Sequence, residues 1–135
     1  MTNSDFLRMR YLMRRVPRLE WDMERKMSNA AKITTTITGM PRGSGNHSKV
    51  EDGAIILATV KDAYREVIAE LEALRARLSP LIDMLEDPDE KAVMRMRYLN
   101  GLNPEQIALV ICRSDRMVYI YLKRAERKII SGNFR

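Results

Sequence analysis

The chain has 135 residues, of which 45% are apolar, and its 24 Lys and Arg outnumber its 18 Asp and Glu, giving a net charge of +6. A membrane-spanning helix needs about 18 apolar residues in a row, and no apolar run in the chain approaches that length. Near the N-terminus arginines interrupt the apolar positions, whereas a signal peptide has an uninterrupted apolar stretch. We therefore expect a cytoplasmic protein with no membrane partner. One cysteine and one histidine cannot supply the ligands of a zinc site, so we expect no metal. We expect Cys112 to be a small buried apolar residue and His47 to be a solvated residue in a loop.

Charge is distributed unevenly along the chain. Residues 51–90 carry four Lys and Arg against eleven Asp and Glu, whereas residues 91–135 carry ten against three. The basic C-terminal block predicts a polyanionic partner. Residues 1–36 are also basic, with eight against four, so we expect the first and middle segments to attract each other.

Residues 1–37 have apolar positions spaced alternately three and four apart, which predicts a helix with a narrow apolar seam. That seam begins with Met9, Leu12, Val16 and Leu19. Pro17 lies within the pattern, and either it kinks one helix or it occupies the first position of a second one. Residues 38–50 are rich in Gly, Ser and Pro and predict a flexible linker.

Residues 51–86 show the clearest periodicity and predict one long helix that packs as a coiled coil. The predicted seam consists of Leu57, Val60, Tyr64, Val67, Leu71, Leu74 and Leu78. The simplest arrangement is an antiparallel hairpin with the first segment. The same seam can instead join two copies of the chain, and we expect a homodimer. Pro80, late in the pattern, either kinks the helix or splits off a short terminal piece.

Residues 87–135 divide into three helical pieces. The first begins at Pro88 and ends at Asn100-Gly101. The second has Asn103 as a suitable N-cap with Gln106 at the capping-box position, and the third has Ser114 as its N-cap. Three short helices with a tight turn between the last two are typical of a helix-turn-helix domain. The sequence thus predicts an all-α fold, with a coiled-coil-like hairpin of long helices before a small helix-turn-helix domain.

The stretch from Met117 to Leu122 has the β-branched and aromatic residues of a strand, but its apolar residues do not alternate. At 100° per residue, Val118, Tyr121, Leu122, Ala125 and Ile129 form one stripe, which predicts a single helix from Asp115 to about Ile130. The outward face of that helix is basic, so we expect it to contact DNA phosphates and base edges. The predicted DNA-binding residues are Ser114, Arg116, Tyr119, Ile120, Lys123, Arg124 and Arg127.

Residues 90–129 resemble region 4 of bacterial sigma factors, the domain that reads the −35 promoter element. The resemblance rests on Arg97-Tyr98, Gln106-Ile107-Ala108, Ser114, Val118, Ala125 and Ile129. Over roughly residues 5–130, the chain resembles small phage and prophage transcriptional regulators of the RinA and ArpU type, which place a coiled-coil part before a sigma-like helix-turn-helix. Those proteins usually have Gly at the position of Cys112, where the turn favours a left-handed residue.

The resemblance implies a sequence-specific transcriptional regulator that binds double-stranded DNA upstream of phage late or packaging genes and activates them together with RNA polymerase. We expect no cofactor. Two other classes fit the residues: a small DNA-packaging protein like the small terminase subunit, and a module that binds RNA polymerase or a sigma factor without touching DNA. The C-terminal position of the motif favours the regulator, because small terminase subunits usually carry theirs near the N-terminus. No acid, base and nucleophile cluster stands out, so we do not expect an enzyme.

Overall fold

A computed structural model describes residues 1–37 and 45–135, with side chains described for residues 1–29 and 52–135. Across those residues the chain is helical and has no strand, which confirms the predicted all-α class. The elements are α1 (Asn3–Ile37), α2 (Gly45–Asp83), α3 (Pro88–Met94), a π-helical segment (Arg95–Leu99), α4 (Pro104–Ile111) and α5 (Asp115–Ser131). The chain divides into two compact units, one of residues 1–13 with 70–135 and one of residues 14–69.

The beginning of α2 differs from the prediction. The helix starts at Gly45, so residues 45–50 belong to it and not to the predicted linker, and the backbone of His47 is helical where we expected a loop. Once a helix is nucleated, each further residue adds a hydrogen bond at small cost, which favours extension into a helix-poor sequence. The remaining part of the predicted linker, residues 38–44, lies outside the described residues.

Both prolines lie inside continuous helices. Pro17 is within α1 and Pro80 is within α2, so neither ends its helix. The buried face of α2 runs through Leu71, Leu74 and Leu78 as predicted. Beyond Pro80 the buried face includes Ile82, and Leu85, just after the end of the helix, is buried as well.

The first unit contains most of the buried core. Phe6, Met9 and Leu12 of α1 are fully buried. Two ion pairs join this part of α1 to α2, Asp5 with Arg77 and Arg8 with Glu70. Because lower-numbered residues of α1 meet higher-numbered residues of α2, the two helices run antiparallel there, as the predicted hairpin requires. Phe6 continues the predicted seam by three residues toward the N-terminus, and its ring lies 5.3 Å from that of Tyr98.

The second unit is a pair of long helices. In its described part Leu19 and Val67 are buried, whereas the predicted seam residues Leu57, Val60 and Tyr64 are only half-buried. The Tyr64 hydroxyl donates to the Glu20 carboxylate at 3.3 Å. The seam of α2 thus becomes shallower toward its N-terminal part within this unit.

The C-terminal helices begin and end at the residues that the sequence indicates. Asn103 accepts from the Gln106 backbone N–H at 2.8 Å, and the Gln106 side chain accepts from the Asn103 backbone N–H at 3.0 Å, which completes the predicted capping box. Ser114 accepts from the backbone N–H of Met117 at 3.3 Å. Gly101 has a φ of 75°, as expected of a residue that ends a helix. The strand-like stretch after Met117 lies within α5, which confirms the prediction of one helix.

Cys112 corrects one prediction. It is exposed, not buried, and it caps α4 with a φ of 55° in the left-handed region. The turn between α4 and α5 therefore needs the left-handed residue expected there, although this chain has no glycine at the position. The backbone N–H of Arg113 closes the turn by donating to the Ala108 carbonyl at 3.1 Å.

Candidate nucleic-acid interface

The two faces of α5 separate as the sequence predicts. The inward stripe of Val118, Tyr121, Leu122, Ala125 and Ile129 is buried. Of the predicted DNA-binding residues, Ile120 is half-buried and the others are exposed. Burial of the stripe therefore fixes the rotation of α5 about its axis and directs its basic face outward.

Four cations occupy the outward face of α5: Arg116, Lys123, Arg124 and Arg127. None of them forms an ion pair with any residue that the structure describes. They extend over roughly 16 Å of the helix axis, at 1.5 Å per residue. An unpaired row of cations on one helix is a surface that a polyanion can bind without first breaking internal ion pairs.

Two predicted contact residues have roles within the protein as well. The Ser114 hydroxyl is the N-cap of α5, so its oxygen already accepts a backbone hydrogen bond. The Tyr119 hydroxyl donates to the Glu105 carboxylate of α4 at 3.4 Å, which is a long hydrogen bond. Tyr119 thereby links the outward side of α5 to the first turn of α4.

A hydrogen-bonded cluster of Arg10, Tyr98 and Glu126 connects α5 to α1 and to the π-helical segment. The Arg10 guanidinium donates to the Tyr98 hydroxyl oxygen at 2.9 Å and to Glu126 at 3.1 Å, and the Tyr98 hydroxyl donates to the same Glu126 carboxylate. Burial of Tyr98, together with the neighbouring Glu126 carboxylate, raises the pKa of its phenol well above the ordinary value. Tyr98 therefore stays protonated and keeps its donor role.

A second buried polar contact joins α3 to α5. Glu90 is only 1% exposed, and its carboxylate lies 2.7 Å from the Lys128 ammonium nitrogen. Taking a carboxylate out of water is costly unless a cation and hydrogen bonds compensate it. Lys128, which is partly exposed, is that cation, so its charge is taken up by Glu90 and does not belong to the unpaired outward basic face.

The π-helical segment is supported by two arginines. Its geometry shows in the Asn100 backbone N–H, which donates five residues back to the Arg95 carbonyl at 3.0 Å. Arg75 donates to the Tyr98 carbonyl at 2.7 Å, and Arg97 donates to the Leu102 carbonyl at 3.1 Å. Burial lowers the pKa of both arginines. The side chains thus satisfy carbonyls that a continuous α-helix would have paired internally.

A pocket of about 310 Å³ opens beside α5. Arg10, Arg97 and Lys123 contribute three cations to its wall, Glu126 contributes one carboxylate, and Tyr98 and Tyr119 contribute two phenols. Pro104 and Leu122 add apolar surface. The pocket shares Tyr119 and Lys123 with the predicted DNA-binding face.

Sequence reasoning did not identify Arg10, Tyr98 and Glu126 as one cluster, nor the pair of Glu90 and Lys128. The sequence does contain one indication of the cluster, because Glu126 is one of only three acidic residues in the basic block of residues 91–135. An isolated acid beside the buried stripe of a basic helix indicates an internal cation partner. That the partner comes from α1, 116 residues away, required the structure.

The described part of the chain has two further properties that bear on function. Among the described side chains, no group of three or more His, Cys, Asp or Glu residues could hold a metal ion. None of the described helices combines the length and the apolar character needed to cross a membrane.

Residues 26–130 match the model of a family described as "Protein of unknown function (DUF1492)". The chain is similar to synemin of the mouse, Mus musculus, with 38% identity over 77 residues. That match covers 56% of this chain but only 5% of synemin, so it carries no statement about function. No solved structure matches the chain significantly.

Proposed function

This chain belongs to the DUF1492 family, whose description assigns no function, and from its residues we propose that it is a sequence-specific DNA-binding transcriptional regulator. One observation carries the proposal: α5 presents four cations that have no ion-pair partner among the described residues, on a helix whose rotation is set by a buried stripe. An α-helix of this kind fits the major groove of B-DNA, where base edges are distinguishable.

The arrangement divides the contacts into two kinds. Arg124 and Arg127 lie toward the C-terminal half of α5 and are suited to phosphates, which supply affinity irrespective of sequence. Arg116 lies in the first turn, the part of a recognition helix that reaches base edges, and it can bind guanine through two hydrogen bonds. Ile120 is the apolar residue one turn further along, positioned for a thymine methyl group.

The resemblance to sigma region 4 extends the proposal to the biological role. In this role the chain binds DNA as a homodimer upstream of phage late genes and acts together with RNA polymerase. Exposed Ile55 and Ile56, beside the half-buried Leu57 and Val60, support the homodimer, because a second copy can cover them.

DNA binding is tested by fluorescence anisotropy with the full chain and a labelled duplex, over a salt series from about 50 to 200 mM. The double variant Arg116→Ala with Arg127→Ala should weaken binding at least about tenfold and reduce the slope of log affinity against log salt by about 2. The matched control, Arg14→Ala with Arg18→Ala, removes two exposed arginines from the second unit and should leave the slope nearly unchanged.

An equal affinity of the wild-type chain and the α5 double variant would overturn the proposal. Selection of bound duplexes from a random pool then reports the preferred sequence, and a palindromic result with two chains per duplex supports the homodimer. A sequence preference that is lost in Arg116→Ala but kept in Arg127→Ala would support the division of contacts between the two arginines.

A module that binds a protein without touching DNA is the second candidate, and one observation favours it. Leu109 is 81% exposed and Val110 is 59% exposed on the outward side of α4. Large apolar side chains with such exposure are typical of protein-binding surfaces when they are adjacent. If Leu109→Ser with Val110→Ser abolished binding to RNA polymerase while the α5 double variant had no effect on DNA, this second function would replace the first.

A further inference from the structure

The pocket beside α5 has a charge that its own residues do not balance. Arg10, Arg97 and Lys123 contribute three positive charges and Glu126 contributes one negative charge, which leaves a net charge of +2. The Glu126 carboxylate is already occupied by Arg10 and by the Tyr98 hydroxyl. The remaining cations, Arg97 and Lys123, form no ion pair with a residue that the structure describes.

Arg97 is the most informative of these residues. Its one hydrogen bond to the described chain runs from one terminal nitrogen to the Leu102 carbonyl, so the other N–H groups of the guanidinium keep their donor capacity. That bond also fixes the direction of the side chain. The guanidinium is therefore held in place beside the pocket before any ligand arrives, which lowers the ordering cost of binding.

The shape and the apolar surface restrict the ligand further. A volume of about 310 Å³ lies at the lower end of the range for small-molecule pockets, so the ligand is small. Pro104, Leu122 and the ring of Tyr119 offer apolar surface to a flat group, next to the cations. A carboxylate would leave one positive charge unbalanced, whereas a phosphate monoester carries about −1.5 to −2 at pH 7 and matches the pocket.

We propose that this pocket binds a small phosphate monoester that also carries a flat aromatic ring, the chemical class of a nucleoside monophosphate. Arg97 and Lys123 hold the phosphate, Arg10 stays paired with Glu126, and the ring rests on Pro104 and Tyr119. An internal DNA phosphate carries a single charge and is covalently linked on both sides, so it satisfies the pocket less well than a free monoester.

A bound phosphate would also affect the outward face of α5. Lys123 and Tyr119 line the pocket and belong to the predicted DNA-binding residues, so a ligand that engages them competes with DNA for the same groups. This consequence, unlike the binding itself, rests on the proposed function. The monophosphate is therefore expected to weaken DNA binding, which makes the pocket a site of regulation.

Titration calorimetry of the full chain with adenosine 5′-monophosphate and with inorganic phosphate, at constant ionic strength and without DNA, tests the site. We expect saturable binding of one nucleotide per chain, about tenfold tighter than inorganic phosphate, because only the nucleotide has a ring for the apolar surface. Lys123→Gln should weaken nucleotide binding about tenfold, since it removes one charged contact. The control Arg127→Gln removes a charge of the same helix outside the pocket and should change affinity less than twofold.

Arg97→Gln should weaken binding about as much as Lys123→Gln, and circular dichroism shows whether the loss of its bond to Leu102 disturbs the fold. Lys123 is exposed, so Lys123→Gln tests the site even if Arg97→Gln unfolds the chain. Absence of saturable binding at millimolar nucleotide, or equal weakening by Lys123→Gln and Arg127→Gln, would overturn the proposal. The proposal would also be overturned if duplex DNA bound the wild-type chain without displacing the nucleotide and Lys123→Gln left the nucleotide affinity unchanged.

If nucleotide binds as expected but no duplex binds, the site stands and the DNA-binding function fails. If DNA binds in a manner that depends on Arg116 and Arg127 but no nucleotide binds, the function stands and the site fails. Measuring the nucleotide in the absence of DNA keeps these two results separate.

Discussion

The two compact units are built from the same pair of long helices, yet they bury their apolar residues to different depths. In the first unit Phe6, Met9 and Leu12 are fully buried, together with Leu71 and Leu78. In the described part of the second unit the seam residues of α2 are mostly half-buried. The spacing of apolar residues is equally regular in both, so periodicity alone does not determine burial.

The difference follows from what covers the helices. In the first unit α3, the π-helical segment, α4 and α5 add a further layer, and polar contacts such as those of Glu90 and Arg10 are partly or fully shielded from water. In the second unit the described polar contacts, such as that of Tyr64 with Glu20 and that of Arg65 with Asp62, are exposed. A heptad pattern identifies the face that a helix buries, and the number of covering elements decides how completely it does so.

Equal truncations of the α2 seam in the two units give the largest contrast. Leu78→Ala creates a cavity at a fully buried position and should lower the free energy of unfolding by about 3 kcal/mol. Leu57→Ala removes a half-buried side chain and should cost about 1 kcal/mol or less. Urea denaturation followed by circular dichroism measures both. Equal losses would show that the second unit is packed as tightly as the first, contrary to the comparison.

The ion pairs of the two units should differ in the same way. Lys128→Met leaves the buried Glu90 carboxylate without its cation and should lower the free energy of unfolding by about 2–3 kcal/mol, below the full penalty because Lys128 is partly exposed. Arg65→Met removes an exposed pair with Asp62 in the second unit and should change it by less than about 0.5 kcal/mol. Adding Glu90→Leu to Lys128→Met should restore much of the loss, because the double variant has no buried charge left.

If Lys128→Met lowered the free energy of unfolding as little as Arg65→Met, burial of the Glu90 carboxylate would not determine how much its ion pair stabilises the fold. Chemical denaturation of the three variants at one pH and one salt concentration separates these outcomes. Lys128→Arg serves as the conservative control and should retain most of the stability, since it keeps the charge.

Much of the fold follows from local rules that act within a few residues. The caps at Asn103 and Ser114 and the stop at Gly101 are each set by a single side chain or a single backbone conformation, which is why their positions could be predicted. The start of α2 at Gly45 could not, because the cooperativity of helix extension outweighs the low helix propensity of the segment. The exposure of Cys112 follows from the turn, whose left-handed residue lies at the surface.

The outward position of the predicted contact residues on α5 could be predicted from the sequence, because the buried stripe and the outward face follow the same helical period. The pocket could not be predicted from the sequence, since Arg10, Arg97 and Lys123 come from three different elements. Contacts over a hundred residues of sequence, such as that of Arg10 with Glu126, leave no periodic trace. The π-helical segment likewise depends on Arg75, which satisfies the Tyr98 carbonyl from a distant helix.

The smallest contrast concerns two tyrosine hydroxyls. Tyr98→Phe removes a buried donor to Glu126 and an acceptor from Arg10, and should lower the free energy of unfolding by about 1–2 kcal/mol. Tyr64→Phe in the second unit removes an exposed hydroxyl bond of 3.3 Å to Glu20 and should leave stability unchanged within error. Thermal unfolding at pH 7 measures both variants.

Alkaline pH sharpens this last contrast. Burial and the Glu126 carboxylate raise the pKa of Tyr98 in the folded chain, whereas in the unfolded chain its phenol titrates near its ordinary value of about 10. Above that pH the unfolded state loses a proton that the folded state retains, so the free energy of unfolding falls as pH rises. Tyr98→Phe removes this contribution and should show a shallower decline between about pH 9 and 11 than the wild type. Identical slopes would mean that the Tyr98 phenol is not held protonated by its surroundings, and the cluster behind α5 would then have to be looser than its hydrogen bonds indicate.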